Sequence, residues 1–210
     1  MPAALRPTLV LASASPRRRE LLGSLGLTFA LRPMDLDETP RPGEAPVEYV
    51  RRLAIEKALA AGAAAAAPGS PELVLAADTT VVLDGDILGK PEDPADARRM
   101  LGRIAGREHT VHTGVALHAA GAVGAGEPRT IDTVETSRVR MAPLSAAEIE
   151  WYVATGEPLD KAGSYAVQGL GALFVEEVFG NYTNVVGLPL PATHRLFRAL
   201  GFDLLEFRTA

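Results

Sequence analysis

The stretch SASPRRRELL, residues 13–22, puts Ser15 and Pro16 where a helix N-cap and first helical residue belong, and then sets Arg17, Arg18 and Arg19 in the first turn. A helix N-terminus already carries roughly half a positive charge, so each exposed cation there is disfavoured by about 0.3–1 kcal/mol. An anionic ligand would remove that penalty. Further groups suit the same ligand: Lys57 in LAIEKALA, Lys90 in GKPED, Asp78 directly after the apolar LVLAA, and the acids Asp35, Asp37, Glu38 and Glu44 in the loop at 34–46. Singly, each lysine reads as a solvated residue and Asp78 as a turn or cap aspartate, although an acid beside a buried strand is costly unless paired or metal-bound. Together, arginines at a helix N-terminus, two lysines and oxygen-only acids describe a site for a polyphosphate and Mg²⁺, which takes a few carboxylates plus substrate phosphates. Bare carboxylates would repel the phosphates, so a divalent ion between them is expected.

Other chemistries fit poorly. GDILGK, 85–90, has three residues between its glycines where a phosphate-binding P-loop needs four, and Pro91 stands where Ser or Thr would hold Mg²⁺. GLGALF, 169–174, lacks the third glycine of a dinucleotide fingerprint. His109 and His112 are three apart on a predicted strand and face opposite sides, which argues against a shared metal. No serine sits in a nucleophile elbow. The net charge of −5 argues against a nucleic-acid polymer as partner and leaves the basic clusters at 17–19, 51–52 and 98–99 to a small anion or to solvated helix faces. Zero cysteines exclude disulfides and thiolate metal sites. No run approaches the roughly 18 apolar residues of a membrane span. Thr8–Ala12 is shorter than the ~7–15 residues of a secretory core, so a cytoplasmic protein is expected.

The elements that must place these groups alternate. Residues 8–12 read as a buried strand, 16–25 as a helix stopped by Gly26, and LTFALRP, 27–33, as a second strand. A helix is expected from Pro46 to about Ala67, with Val47, Val50, Ala54 and Ala58 on one face. LVLAA, closed by Asp78, and TTVVL read as strand up to an Asp84-Gly85 hairpin turn. PADARRMLGRIAG reads as a helix, 107–118 and 129–141 as strands joined by GAVGAGEP, and SAAE, 145–148, as a capping box opening another helix. ALFVEEVF reads as strand, LPLPATHRLFRALG as helix and FDLLEF as a closing strand or tail. The alanine run at 63–67 carries no chemistry. The pattern is α/β with a mixed sheet.

LVLASASPRRRELL, EKA, AADTTVVLDGDILGKPED, YVATGEPLDKAGSYAVQG and NVVGLPL, in this order over residues 8–200, resemble the Maf family of nucleoside triphosphate pyrophosphatases. The resemblance implies one Maf/ITPase-like domain over 1–210, with a long curved mixed sheet flanked by helices and two lobes around a central cleft. It also implies a divalent cation (Mg²⁺ or Mn²⁺), release of pyrophosphate from a nucleoside triphosphate, and, in many members, a homodimer. Carried over by motif, Glu38 is the acidic position of the loop after the second strand, Asp78 the proposed proton acceptor, and Lys57 and Lys90 the site lysines; Glu38 and Asp78 are the acids expected to hold the cation. Ser13, Ser15, Arg17 and Arg18 fall in the phosphate-binding loop, whereas Arg19 exceeds the motif and should point away. Arg17, Thr79 and Gln168 are similar to the dTTP/UTP subgroup; modified pyrimidine nucleotides are further candidate substrates. The chemistry agrees, because a pyrimidine edge shows acceptor, donor and acceptor, and a carboxamide offers a donor and an acceptor. The family name derives from inhibition of septum formation, so the alternative expectation is a nucleotide-sensing regulator of cell division with little catalysis.

Overall fold

The apolar run Thr8–Leu11 forms strand β1, buried at all but its first residue. Ser15 caps helix α1, Pro16–Ser24, by accepting a hydrogen bond from the Arg18 N–H at 3.4 Å. This computed structural model describes residues 7–65, 71–120 and 128–209, so GAVGAGEP up to residue 127 and the end of the alanine run lie outside the described residues. Of the strand expected at 27–33, only Ala30–Leu31, β2, forms a ladder. The C-terminal segment claims the rest: the Thr28 N–H donates to the Phe207 carbonyl at 2.7 Å, and Leu27 bridges Arg208.

Helix α2, Pro46–Ala63, stops a turn earlier than expected and buries Val50, Leu53, Ala54, Ala58 and Ala61, with Lys57 on the same side; Val47 is half-buried. LVLAA and TTVVL are one unbroken strand, β3, Glu72–Leu83, so Asp78 lies inside it and not at its end. The reason is local: Thr-Thr-Val-Val after Asp78 is β-branched and no turn former intervenes. The strand turns at Asp84 and Gly85, both at positive φ, into β4, Asp86–Leu88. Helix α3, Pro94–Ile104, is capped by Asp93 and leads to strands β5, Glu108–Ala120, and β6, Arg129–Met141. The capping box of Ser145 and Glu148 forms as read and starts helix α4, Ala146–Ala154.

Three 3₁₀ turns follow, at Glu157–Asp160, Ala162–Ser164 and Gly169–Phe174. ALFVEEVF therefore yields strand β7 only over Val175–Phe179. A short helix α5, Tyr182–Val186, between its Asn181 cap and Gly187, was not expected; α6 follows at Leu190–Ala199. FDLLEF is a 3₁₀ turn, Leu204–Phe207, capped by Asp203, and not a strand.

Among the described residues the seven strands make one mixed sheet in the order β2-β1-β3-β5-β6-β7, with β4 beside β3; β1 is parallel to its neighbours and the other pairs are antiparallel. Side chains alternate across it. Leu73, Leu75 and Ala77 of β3 join an apolar cluster with α1 and α6, whereas Val81 and Leu83 join a second cluster with α3 and α4. Val74 and Ala76 face the opposite way, onto α2. On its β1 edge, β3 is paired up to Leu75 by β1 and again from Val81 by β4. Among the described residues, 76–80 have no strand partner on that edge.

Candidate active site

A cavity of about 490 Å³ opens at this unpaired edge, within the few-hundred-Å³ range of small-molecule sites. It draws on every expected site residue: Ser13, Ser15, Arg17 and Arg18 from the β1–α1 turn, Glu38 from the β2–α2 loop, and Lys57 from α2. Asp78 and Thr79 of β3, Lys90 after β4 and Gln168 before the third 3₁₀ turn complete the lining.

The arginines answer the helix-dipole problem differently. Arg19 points into solvent. Arg17 lies 3.7 Å from Asp160, an ion pair reaching over from the 3₁₀ turn that follows α4. Arg18 is buried, and its donors go to neutral oxygens: Nε to the Gly187 carbonyl at 2.8 Å, Nη1 to Ser13 Oγ and Nη2 to Thr79 Oγ1, both at 3.0 Å. Among the described residues no carboxylate pairs with Arg18. Burial pulls its pKa below the ordinary value, with the charge of Asp78 acting in the opposite sense. A buried cation without a counter-ion carries a desolvation cost that an anionic ligand would offset.

Lys57 reaches the cavity from the buried side of α2. Its Nζ donates to Asp78 Oδ1 at 2.7 Å and lies 2.6 Å from Glu38 Oε1. The position depends on close packing of α2 on β5. Gly114, paired with Asp78, sits under the helix where an added Cβ would fall 2.2 Å from the Val50 carbonyl oxygen. Lys90 is exposed at the rim. Gln168 is half-buried.

Reading the sequence missed Tyr49, Asp160, Lys161 and Tyr165, which also line the cavity. Tyr49 donates from its hydroxyl to the Glu38 carbonyl at 2.9 Å; desolvation, then the charges of Asp78 and Glu38, push its pKa up to about 12, so it remains a donor. Asp160 and Lys161 stand in the quoted YVATGEPLDKAG, yet spacing alone gave no reason to select them. The motifs set aside do other work. The Leu170 and Gly171 N–H groups of GLGALF bind the Glu157 carboxylate at 3.0 and 2.9 Å, so the protein's own acid occupies them. His109 is buried against the Tyr165 hydroxyl at 2.7 Å, and His112 bonds Thr136 on the other side of β5. The pairs at 51–52 and 98–99 are engaged in ion pairs, with Glu44, Glu48, Glu56 and Asp132 for the first and Asp96 and Glu150 for the second.

Residues 8–200 match the family described as Maf-like protein. The chain belongs to the Maf family. Among the relatives of this Maf protein, one named dTTP/UTP pyrophosphatase from Anaeromyxobacter dehalogenans is 55% identical over 201 residues, 95% of this chain and 97% of the relative. Another of that name, from a Shewanella species, is 51% identical over 198 residues, 92% and 98% of the two chains. A solved nucleoside-triphosphatase / dITP/XTP pyrophosphatase from Mycobacterium abscessus covers 92% of this chain and 96% of its own at 16% identity and a TM-score of 0.39.

Among the described residues no group of three or more acids, histidines or cysteines could hold a metal. The cavity offers two carboxylates whose oxygens converge on one point, now taken by Lys57 Nζ. That donor set fits an oxygen-preferring divalent ion that completes its shell from substrate phosphates and water, and it does not fit an ion caged by protein alone.

Proposed function

We propose that this Maf protein hydrolyses dTTP and UTP, and modified pyrimidine nucleotides of the same edge chemistry, to the nucleoside monophosphate and pyrophosphate. The observation that carries the reading is Arg18: a guanidinium buried beside the cleft, held by neutral oxygens and lacking a carboxylate partner among the described residues. The names of the relatives supply the substrate and the bond broken.

In this reading Arg17 and Arg18, with Lys57 and Lys90, neutralise the triphosphate, and Ser13 and Ser15 line its path at the head of α1. Glu38 and Asp78 would hold Mg²⁺ or Mn²⁺, which supplies charge neutralisation at the phosphates and a more acidic water. Lys57, on its flexible stem, swings from between the two acids to a phosphate oxygen. Asp78 accepts a hydrogen bond from the attacking water and aims it in line with the departing pyrophosphate. Gln168 pairs its carboxamide with the pyrimidine imide edge, and Thr79 and Ser13 hold the Arg18 guanidinium in place. The cell-division sensor has no observation of its own in its favour, since a sensor has less use for a water-orienting acid such as Asp78.

The same proposal takes the partner to be a free nucleotide, the compartment to be the cytoplasm, and the chain to be one domain of two lobes. No helix among the described residues is long and apolar enough to cross a membrane. The test is incubation with canonical and modified triphosphates and Mg²⁺ or Mn²⁺, with product identification. Expected products are dTMP or UMP with pyrophosphate; orthophosphate with a diphosphate, or no turnover at all, overturns the reading.

A further inference from the structure

The loop that carries Glu38, residues 32–45, buries none of its side chains fully, and a second cavity of about 620 Å³ lies between its outer turn and α2. Met34 packs on the cluster beneath α2 near the start of the loop, but beyond it apolar packing does little to fix the height of Glu38 over the site. What holds it is a stripe of α2, Tyr49, Arg52 and Glu56, spaced three and four residues apart on one side of the helix. Arg52 donates from Nε and Nη2 to the two oxygens of Glu44 at 2.6 and 2.7 Å, and from Nη1 to Glu56 at 3.1 Å. Its Nη2 also reaches the Thr39 carbonyl at 3.4 Å, and its guanidinium stands 5.7 Å from the Tyr49 ring centre. Tyr49 in turn binds the Glu38 carbonyl. The main chain at Glu38 and at Thr39 is thus tied to the helix turn that precedes Lys57.

The pair is shielded, with the Arg52 and Glu44 side chains 12% and 10% exposed, so solvent and salt weaken it less than a surface bridge. Hydrogen bonding from Arg52 holds the Glu44 carboxyl down to about 2, which keeps both partners charged near neutrality. A two-point fork of this kind fixes orientation as well as distance, and a lysine cannot reproduce it.

We propose that Arg52 is a positioning residue for Glu38: its fork on Glu44 and its reach to Thr39 set where the Glu38 carboxylate stands relative to Lys57 and Asp78. This rests on the hydrolytic reading of the cleft. A misplacement of about 1 Å at a reacting centre costs up to roughly 10²-fold in rate. Arg52→Lys and, separately, Glu44→Gln should lower kcat for dTTP by roughly 10- to 100-fold, with KM within a few-fold and the melting midpoint nearly unchanged. Added to Glu38→Gln, neither should lower kcat further, because the group being positioned is already lost. Amide exchange over residues 38–44 should speed up in both variants.

An unchanged kcat, a loss that multiplies in full on the Glu38→Gln background, or unchanged loop exchange each overturns the proposal. If Arg52→Lys does not fold, Glu44→Gln, which leaves α2 intact, carries the same test. Should the wild-type protein release pyrophosphate from no triphosphate, the hydrolytic reading fails, and the exchange measurement still decides whether Arg52 holds the loop.

Discussion

Asp78 is tied to Lys57 by a 2.7 Å hydrogen bond, so Asp78→Asn changes charge with little change of shape. Turnover should fall by roughly 10²–10⁴-fold, the range for a side chain that orients or deprotonates the attacking water, while nucleotide affinity stays within a few-fold. Pyrophosphate release and calorimetric binding of a non-hydrolysable dTTP analogue measure the two. Gln168→Glu exchanges a donor–acceptor pair for acceptors alone and leaves a pyrimidine carbonyl unmatched. kcat/KM for dTTP should drop by roughly 10- to 100-fold, the 1–3 kcal/mol of an unsatisfied polar group, and guanine nucleotides should gain relative to it. Of the residues in the cleft, those with an evident misfit could be read from sequence: arginines at the wrong end of a helix, an acid directly after an apolar run. Tyr49 and Asp160 could not, because their significance depends on contacts that chain spacing does not encode.

The crossing of α2 over β5 is what brings Lys57 above Asp78, and Gly114 is the residue that lets the helix approach. Gly114→Ala would push a methyl group into the α2 backbone at the Val50 carbonyl. Destabilisation of about 1–3 kcal/mol is expected, as for other overpacked sites, together with loss of activity as α2 lifts and carries Lys57 away from the cleft. Urea unfolding and a turnover assay check this; a variant of wild-type stability and rate would contradict it. Elements with strong local signals formed as read, among them α1, α3, α4 with its capping box, and the Asp84-Gly85 hairpin. The misreadings at LTFALRP and FDLLEF have one cause. The two segments meet, and Leu27, Phe29, Leu204 and Phe207 pack in the same cluster, so a contact between the chain's two ends replaced a ladder in each. The Asp78 boundary failed differently: a polar residue looked like an end but lines the cavity from mid-strand.

At the scale of the whole molecule, buried histidine couples stability to pH. Desolvation lowers the pKa of His109 from an ordinary 6.5 to about 4, and burial lowers His112 and His118 as well. Between about pH 6.5 and 4 the unfolded chain therefore binds more protons than the folded one, and stability falls as the pH falls through that window. His109 alone accounts for roughly 3 kcal/mol of this. His109→Gln, which keeps a polar atom for Tyr165 but does not titrate, should flatten the dependence of the urea midpoint on pH. A slope identical to that of the wild type would exclude His109 as its source.

Strand β3 feeds both apolar clusters, Leu73 and Leu75 to one and Val81 and Leu83 to the other, with β5 beside it throughout. Because the same two strands feed both clusters, neither cluster is expected to melt alone. Trp151, the sole tryptophan, meets Phe174 of the second cluster edge-on at 6.2 Å, and its emission should change in the same thermal step as far-ultraviolet dichroism. Two separated steps would refute that. Partial failure under heat or urea is then not expected: a population of these molecules should lose intact copies one by one, and none should persist with half a cleft.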